Sequence, residues 1–141
     1  MITSAETIRS IIRGELPDVQ FIWMQDGNYI RPKMEEVVAA AIKSGVNHLR
    51  FNGELMDCDD YALLLNASIK RTRIDLGDSL SADGSYHWSF GEAFGIKFNG
   101  LEEDHTLCVC VAEEGVFLLE PQTYDYWSPR PGKDSVLIIK M

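Results

Sequence analysis

Apolar residues recur at helical spacing in three segments of the first half of the chain. A first helix is predicted with Thr3 or Ser4 as its cap, and a second begins near Pro32. A third runs from about Cys58 to about Thr72 and has almost no polar face, so it should be the most buried helix. The apolar positions that define the three helices are Ile8, Ile11 and Ile12; Met34, Val37, Val38, Ala41 and Ile42; and Tyr61, Leu64, Leu65 and Ile69.

Short apolar segments separated by turn residues are typical of strands, and most of these segments follow the third helix. The predicted strands are Val19–Met24, one or two within Trp88–Phe98, a hairpin of His105–Ala112 with Gly115–Leu119, and Val136–Lys140. Because helices come first and strands later, we predict an α+β fold in which N-terminal helices pack on a C-terminal antiparallel β-sheet. No linker interrupts the pattern, so residues 1–141 are predicted to form one domain.

Charge and composition narrow the classes of partner. The chain carries a net charge of −9, which repels phosphate backbones and argues against nucleic acid. No apolar run approaches the ~20 residues that span a bilayer, so no membrane association is predicted. The N-terminus has neither the basic nor the apolar region of a secretory signal. We therefore expect a cytoplasmic location, which a viral protein would share, and the sequence does not indicate the oligomeric state.

Cys58 stands at the predicted start of the third helix. The unpaired amide N–H groups and the helix dipole at that position favour a thiolate, the form that a nucleophilic cysteine needs. The alternative is a helix-start cysteine that only packs. Cys108 and Cys110 are two apart in an apolar segment, and we interpret them as small buried residues of one strand face. A metal site that combines them with His105 is disfavoured, because His105 and Cys108 have opposite strand parity.

His105 could act as the base for Cys58. If the hairpin turns at Glu113-Glu114, Leu107 faces Glu120, and side-chain alternation places His105 and Glu120 on the same face. As diagonal neighbours they are within reach of each other, so the Glu120 carboxylate can orient the imidazole. Gln122 is the second candidate for that role.

Two further roles have candidates. His87, after a glycine turn, is the second choice for the base. His48 is a weaker candidate, because the segment between it and the third helix is too short to cross the site easily. For an oxyanion donor, the candidates are the amide of Cys58 and the side chain of Asn52, which could also be an ordinary Asn-Gly turn residue.

Three aspartates surround the thiol. The negative charge of Asp57, Asp59 and Asp60 disfavours a thiolate. Capping of the helix explains Asp57 and Asp60 at least partly. A bound Ca²⁺ would explain the whole cluster and relieve the repulsion, so these three residues are the candidate calcium ligands.

The segment Cys58-Asp59-Asp60-Tyr61-Ala62 resembles the signature of transglutaminase-like bacterial cysteine peptidases. It is also similar to the papain-like C-terminal domain of the Marasmius oreades agglutinin, as are residues 26–32 and the His105 strand followed by Glu120. The resemblance implies a papain-like fold, a triad of Cys58, His105 and Glu120, and an activity associated with calcium. Asn52 stands where papain has a glutamine, which departs from the pattern.

The leading hypothesis is a cysteine hydrolase, a peptidase or amidase that acts on a peptide or protein substrate. In it Cys58 attacks the carbonyl and His105 transfers the proton. The alternative is a non-catalytic binding module on the same papain-like fold. Four aromatic residues could line a cleft, although core packing is the simpler interpretation for them: Trp88, Tyr124, Tyr126 and Trp127.

Overall fold

The computed structural model describes residues 1–76 and 82–141. Three α-helices occupy the first half: α1 (Ala5–Glu15), α2 (Met34–Ser44) and α3 (Cys58–Leu76). The strands are β1 (Ile2–Ser4), β2 (Phe21–Trp23), β3 (Asn28–Ile30), β4 (Phe90–Phe98), β5 (Leu101–Ala112), β6 (Gly115–Leu119), β7 (Tyr126–Trp127) and β8 (Ser135–Lys140). Helix α3 begins at Cys58 as predicted, and it continues past Thr72 to Leu76.

Most of the strands form one six-stranded sheet in the order β2-β8-β4-β5-β6-β7. Strand β2 runs parallel to β8, and the other neighbours are antiparallel. Strands β1 and β3 pair separately as a small antiparallel sheet. The long hairpin of β4 and β5 therefore lies at the centre of the main sheet, and the short strands β2 and β7 form its edges.

Side-chain alternation along β5 divides the interior into two cores. Leu107 and Val109 point to one face, where Ile8 and Ile12 of α1 cover them. Cys108 and Cys110 point to the other face and pack with residues of α2 and α3, among them Leu65. The sheet is thus a middle layer with helices on both sides.

The fold class predicted from the sequence is wrong. The sheet is mixed rather than antiparallel, because β2 from the N-terminal half joins its edge in parallel with β8. The helices do not form one layer on the sheet either: α1 covers one face, and α2 and α3 cover the other. The second, two-stranded sheet lies within the half of the chain predicted to be helical.

Local chemistry explains where the helices begin and end. The Ser4 hydroxyl accepts a hydrogen bond from the amide of Thr7 at 3.2 Å and so caps α1, as predicted. At the start of α2, the Glu36 carboxylate accepts from the amide of Lys33 at 2.9 Å. Gly45 ends α2 in the left-handed conformation, with φ 68°, where a side chain would be strained.

A close approach of backbones fixes the position of β8 beside β4. A Cβ atom on Gly91 would lie 2.1 Å from the carbonyl oxygen of Lys140, so this position has no room for a side chain.

Within the described ranges, no helix combines the length and apolar character needed to cross a membrane.

Candidate functional site

The hairpin of β5 and β6 has the register that the sequence predicted. Ala112 faces Gly115 and Cys108 faces Leu119, so the pairing continued by one residue sets Leu107 opposite Glu120. His105 and Glu120 therefore share a face, and the His105 Nε2 atom lies 2.6 Å from a carboxylate oxygen of Glu120. Their side chains are only 16% and 19% exposed, so the pair is largely shielded from solvent.

The hydrogen bond with Glu120 is the main reason that the pKa of His105 is raised; burial works against it. The other Glu120 oxygen accepts from the Gln122 amide at 3.1 Å, which holds the carboxylate in place. Gln122 thus contacts Glu120 through its backbone and does not replace it as the partner of His105. The ring of Phe98 meets the imidazole edge to face, with centroids 5.9 Å apart.

A cavity of about 240 Å³ opens beside this pair. Aromatic and aliphatic side chains form much of its wall, and carboxylates and small polar groups complete it. The lining residues are Phe98, Asn99, Leu101, Glu103, His105, Leu107, Glu120, Thr123, Asp125 and Trp127. An apolar wall with a few convergent polar groups is the usual composition of a small-molecule site.

Asp134 holds two walls of this cavity together. The side chain is only 7% exposed, and one carboxylate oxygen accepts from both the Asn99 amide and the Trp127 indole N–H, each at 3.0 Å. The second oxygen accepts from the amide of Arg130 at 2.9 Å. Asp134 and Asn99 were not among the residues predicted from the sequence, where the local signal for them is the Asn99-Gly100 turn between two predicted strands.

Cys58 begins a helix that packs on the opposite face of the sheet from the face that carries His105. It is the half-buried first residue of α3, and α3 packs on the face that carries Cys108 and Cys110. His105 has the parity of Leu107, on the face that α1 covers. In the part of the chain that the structure describes, no hydrogen bond joins the Cys58 sulfur to His105. The structure therefore brings two of the three predicted triad members together, and the thiol is not one of them.

The other predicted site residues are separate from this cavity. Asn52 is exposed, and its backbone closes a short turn with Leu55 and Met56. His48 ends a 3₁₀ turn (Val46–His48). The carbonyl of His87 accepts from the Ile30 amide at 2.8 Å, and burial lowers the pKa of its imidazole. None of these residues lines the cavity beside His105.

The carboxylates of Asp57, Asp59 and Asp60 converge at the start of α3. One oxygen from each lies within 4.8 Å of the others. Asp60 accepts from the amide of Asp57 at 3.1 Å, which is the capping contact expected there. The pKa of Asp57 is raised to about 6, and the largest cause is the hydrogen bond with Asp59. Three carboxylates at this spacing fit a hard divalent cation, and the predicted calcium site stays a prediction.

Cys108 and Cys110 are buried, as predicted, and burial raises the pKa of both thiols.

The four aromatic residues that the sequence offered for a cleft differ in their positions. Tyr124 belongs to the core beside α2 and α3, and Trp88 packs against its edge. Tyr126 is 46% exposed, and Trp127 is the member of this group that lines the cavity.

Two solved structures are similar to this fold. The complex of PSL1a with E64 is 17% identical, matches 99% of this chain and 51% of that chain, and has a TM-score of 0.79. The Polyporus squamosus lectin bound to the human-type influenza-binding epitope Neu5Acα2-6Galβ1-4GlcNAc is 17% identical, with 99% and 49% matched and a TM-score of 0.75. The chain spans about half the length of these lectin chains. No protein-family model and no curated protein matches it.

These comparisons define a lectin-like fold and correct the assignment made from the sequence. Membership of the papain-like and transglutaminase-like cysteine peptidases is wrong, because the similar structures are those of a lectin. The predictions of a hydrolase, a thiol protease and a peptide or protein substrate are wrong for the same reason. The position of Cys58 across the sheet from His105 gives a physical reason, because a base must contact the thiol that it deprotonates.

Proposed function

We propose that the chain is a non-catalytic binding module whose ligand is a small carbohydrate. The observation that carries this proposal is the cavity of about 240 Å³ beside the His105–Glu120 pair, which combines aromatic walls with carboxylates and does not include Cys58. The volume is below the ~300–1,000 Å³ of sites for drug-sized ligands, so it suits one sugar ring.

The chemistry of the cavity supports a sugar. The C–H face of a pyranose ring is apolar and packs well on an indole, and Trp127 supplies that surface. Sugar hydroxyls are hydrogen-bond donors, and the carboxylates of Glu103, Glu120 and Asp125 are acceptors. Because Asp134 fixes the indole N–H, the ring of Trp127 is held in place before a ligand arrives.

The lectin of similar fold supports the same ligand class. Its structure holds a sialylated trisaccharide, but this chain spans only about half of that lectin. The glycan of the lectin therefore assigns no residue here, and the proposal depends on the cavity itself. The cytoplasmic location inferred from the sequence stays a prediction.

The proposal is tested by titrating monosaccharides into the protein and measuring the heat of binding. We expect saturable binding of at least one neutral or amino hexose, and Trp127→Ala should weaken it by about tenfold or more, as the loss of a central aromatic contact does. Trp23→Ala is the matched control, since Trp23 is 55% exposed on β2, at the opposite edge of the sheet. Absence of binding to every sugar, or equal losses in the two variants, would overturn the proposal.

A further inference from the structure

Acidic side chains dominate the charge of the cavity. Glu103, Glu120 and Asp125 contribute three carboxylates, and no lysine or arginine lines the wall. His105 supplies the single cationic group, and it is committed to Glu120 at 2.6 Å. His105 therefore offsets the charge of Glu120, and the carboxylates of Glu103 and Asp125 remain as uncompensated negative charges of the cavity.

The remaining two carboxylates have no ion-pair partner among residues 1–76 and 82–141. Two cations near the cavity make contacts elsewhere. Lys97 lies 4.0 Å from Glu102, and the Arg130 guanidinium donates to the Asn99 side-chain oxygen at 3.0 Å. Both Glu103 and Asp125 are exposed at the rim, where an arriving ligand can reach them.

We infer that the ligand of this cavity is an amino sugar, which stacks its ring on Trp127 and presents its ammonium group to Glu103 and Asp125. The inference rests on the proposed function and adds the charge of the ligand to it. A carboxylated sugar such as sialic acid meets the two rim carboxylates and the net charge of −9, so its binding is opposed. A neutral sugar gains the stacking and hydroxyl contacts but no ion pair.

The experiment compares three sugars in calorimetric titrations at slightly acidic pH: glucosamine, N-acetylglucosamine and N-acetylneuraminic acid. Glucosamine and N-acetylglucosamine share the ring and differ in the charged amine. We expect glucosamine to bind about tenfold more tightly, the sum of two partly exposed ion pairs, and N-acetylneuraminic acid to bind most weakly. High salt should reduce the preference, because exposed charges are screened.

Variants assign the preference to the rim. Glu103→Gln and Asp125→Asn should each lower the affinity for glucosamine several-fold more than the affinity for N-acetylglucosamine, because only glucosamine loses an ion pair with the carboxylate. Glu113→Gln is the matched control, because Glu113 is an exposed acid at the far end of the same hairpin. Equal binding of glucosamine and N-acetylglucosamine, or tightest binding of N-acetylneuraminic acid, overturns the inference and leaves the proposed function standing. Failure of all three sugars to bind overturns the inference, and failure of every monosaccharide in the wider titration overturns the proposed function as well.

Discussion

The hydrogen bond between His105 and Glu120 favours the protonated form of His105. Glu120 holds a proton on the imidazole, while burial opposes it, and the net result is a raised pKa for His105. A protonated His105 offsets the charge of Glu120, so the pair is close to neutral. Because the folded-state pKa is raised, the stabilisation from this bond is fully present below the unfolded value of ~6.5. It is lost as the pH rises through the folded-state pKa.

An NMR titration of the imidazole tests this account of His105. We expect a midpoint above the ordinary histidine value, because Glu120 stabilises the charged ring. Glu120→Gln should lower that midpoint, since an amide does not hold the proton. Glu113→Gln, at the exposed turn of the same hairpin, should leave it unchanged. A midpoint in the wild type that equals that of Glu120→Gln would show that the hydrogen bond is absent in solution.

The aspartates at the start of α3 give a second test at the scale of residues. If Asp57, Asp59 and Asp60 hold Ca²⁺, adding the ion at neutral pH should raise the melting temperature, because a ligand of the folded state stabilises it. The rise should diminish below the pKa of Asp57, about 6, where a proton competes for the carboxylate.

The calcium experiment needs a control that changes charge without changing the cluster. Asp59→Asn should abolish the rise in melting temperature. Asp75→Asn removes an equal charge near the other end of α3, where Asp75 pairs with Arg71, and it should preserve the rise. The same response to Ca²⁺ in both variants would exclude a site at this cluster.

Single buried contacts join the elements around the cavity. Asp134 precedes β8, yet its carboxylate binds the turn between β4 and β5 and the indole on β7. Asp134 therefore determines the position of the cavity wall, although its own side chain is not part of that wall.

Replacement of this carboxylate tests that role. Asp134→Asn leaves at least one partly buried donor without its acceptor, which should lower the free energy of unfolding by about 1 kcal/mol. The Trp127 fluorescence should shift as the indole loses its partner. Asp18→Asn is the control, because Asp18 accepts from the Ser135 hydroxyl at 2.8 Å in an exposed contact. If the two variants have equal stability and equal fluorescence, the indole is not held by Asp134.

Sequence patterns predicted the elements in proportion to their length. Helix α3 and the hairpin of β5 and β6 each carry enough periodic positions to identify the element, although α3 extends to Leu76 and β5 begins at Leu101. The hydrogen bond from the Asp57 amide to the Asp60 carboxylate lies at the start of α3, where the sequence placed it. Strands β1, β3 and β7 contain two or three residues, too few to show a period. The parallel pairing of β2 with β8 joins residues more than a hundred positions apart, and no local pattern reports it.

The site was predicted only as far as one hairpin determines it. Alternation along β5 and β6 placed His105 beside Glu120 correctly, because parity fixes relative faces within a pair of strands. Side-chain alternation gives no information about the face of the sheet on which a helix from a distant part of the sequence packs. The sequence therefore could not show that α3, and Cys58 with it, lies across the sheet from His105. The contact between Asp134 and Trp127 depends on the fold in the same way.

For the molecule as a whole, the sheet separates the cavity beside His105 from the helix that begins at Cys58. One face carries the His105–Glu120 pair and its cavity, and the other faces the helix that begins at Cys58. Among residues 1–76 and 82–141, no hydrogen bond joins the Cys58 thiol to the His105 imidazole, so the cavity beside His105 is separate from the predicted nucleophile.

Peptide hydrolysis by wild-type protein and by Cys58→Ala, at neutral pH with and without Ca²⁺, tests the non-catalytic account most directly. Casein and a mixture of fluorogenic peptides serve as substrates. If the chain is a non-catalytic binding module, neither protein cleaves them above the buffer background, and both bind the same sugar with the same Kd. Cleavage by the wild type that disappears in Cys58→Ala would contradict it, because a nucleophilic thiol would then have to reach a base.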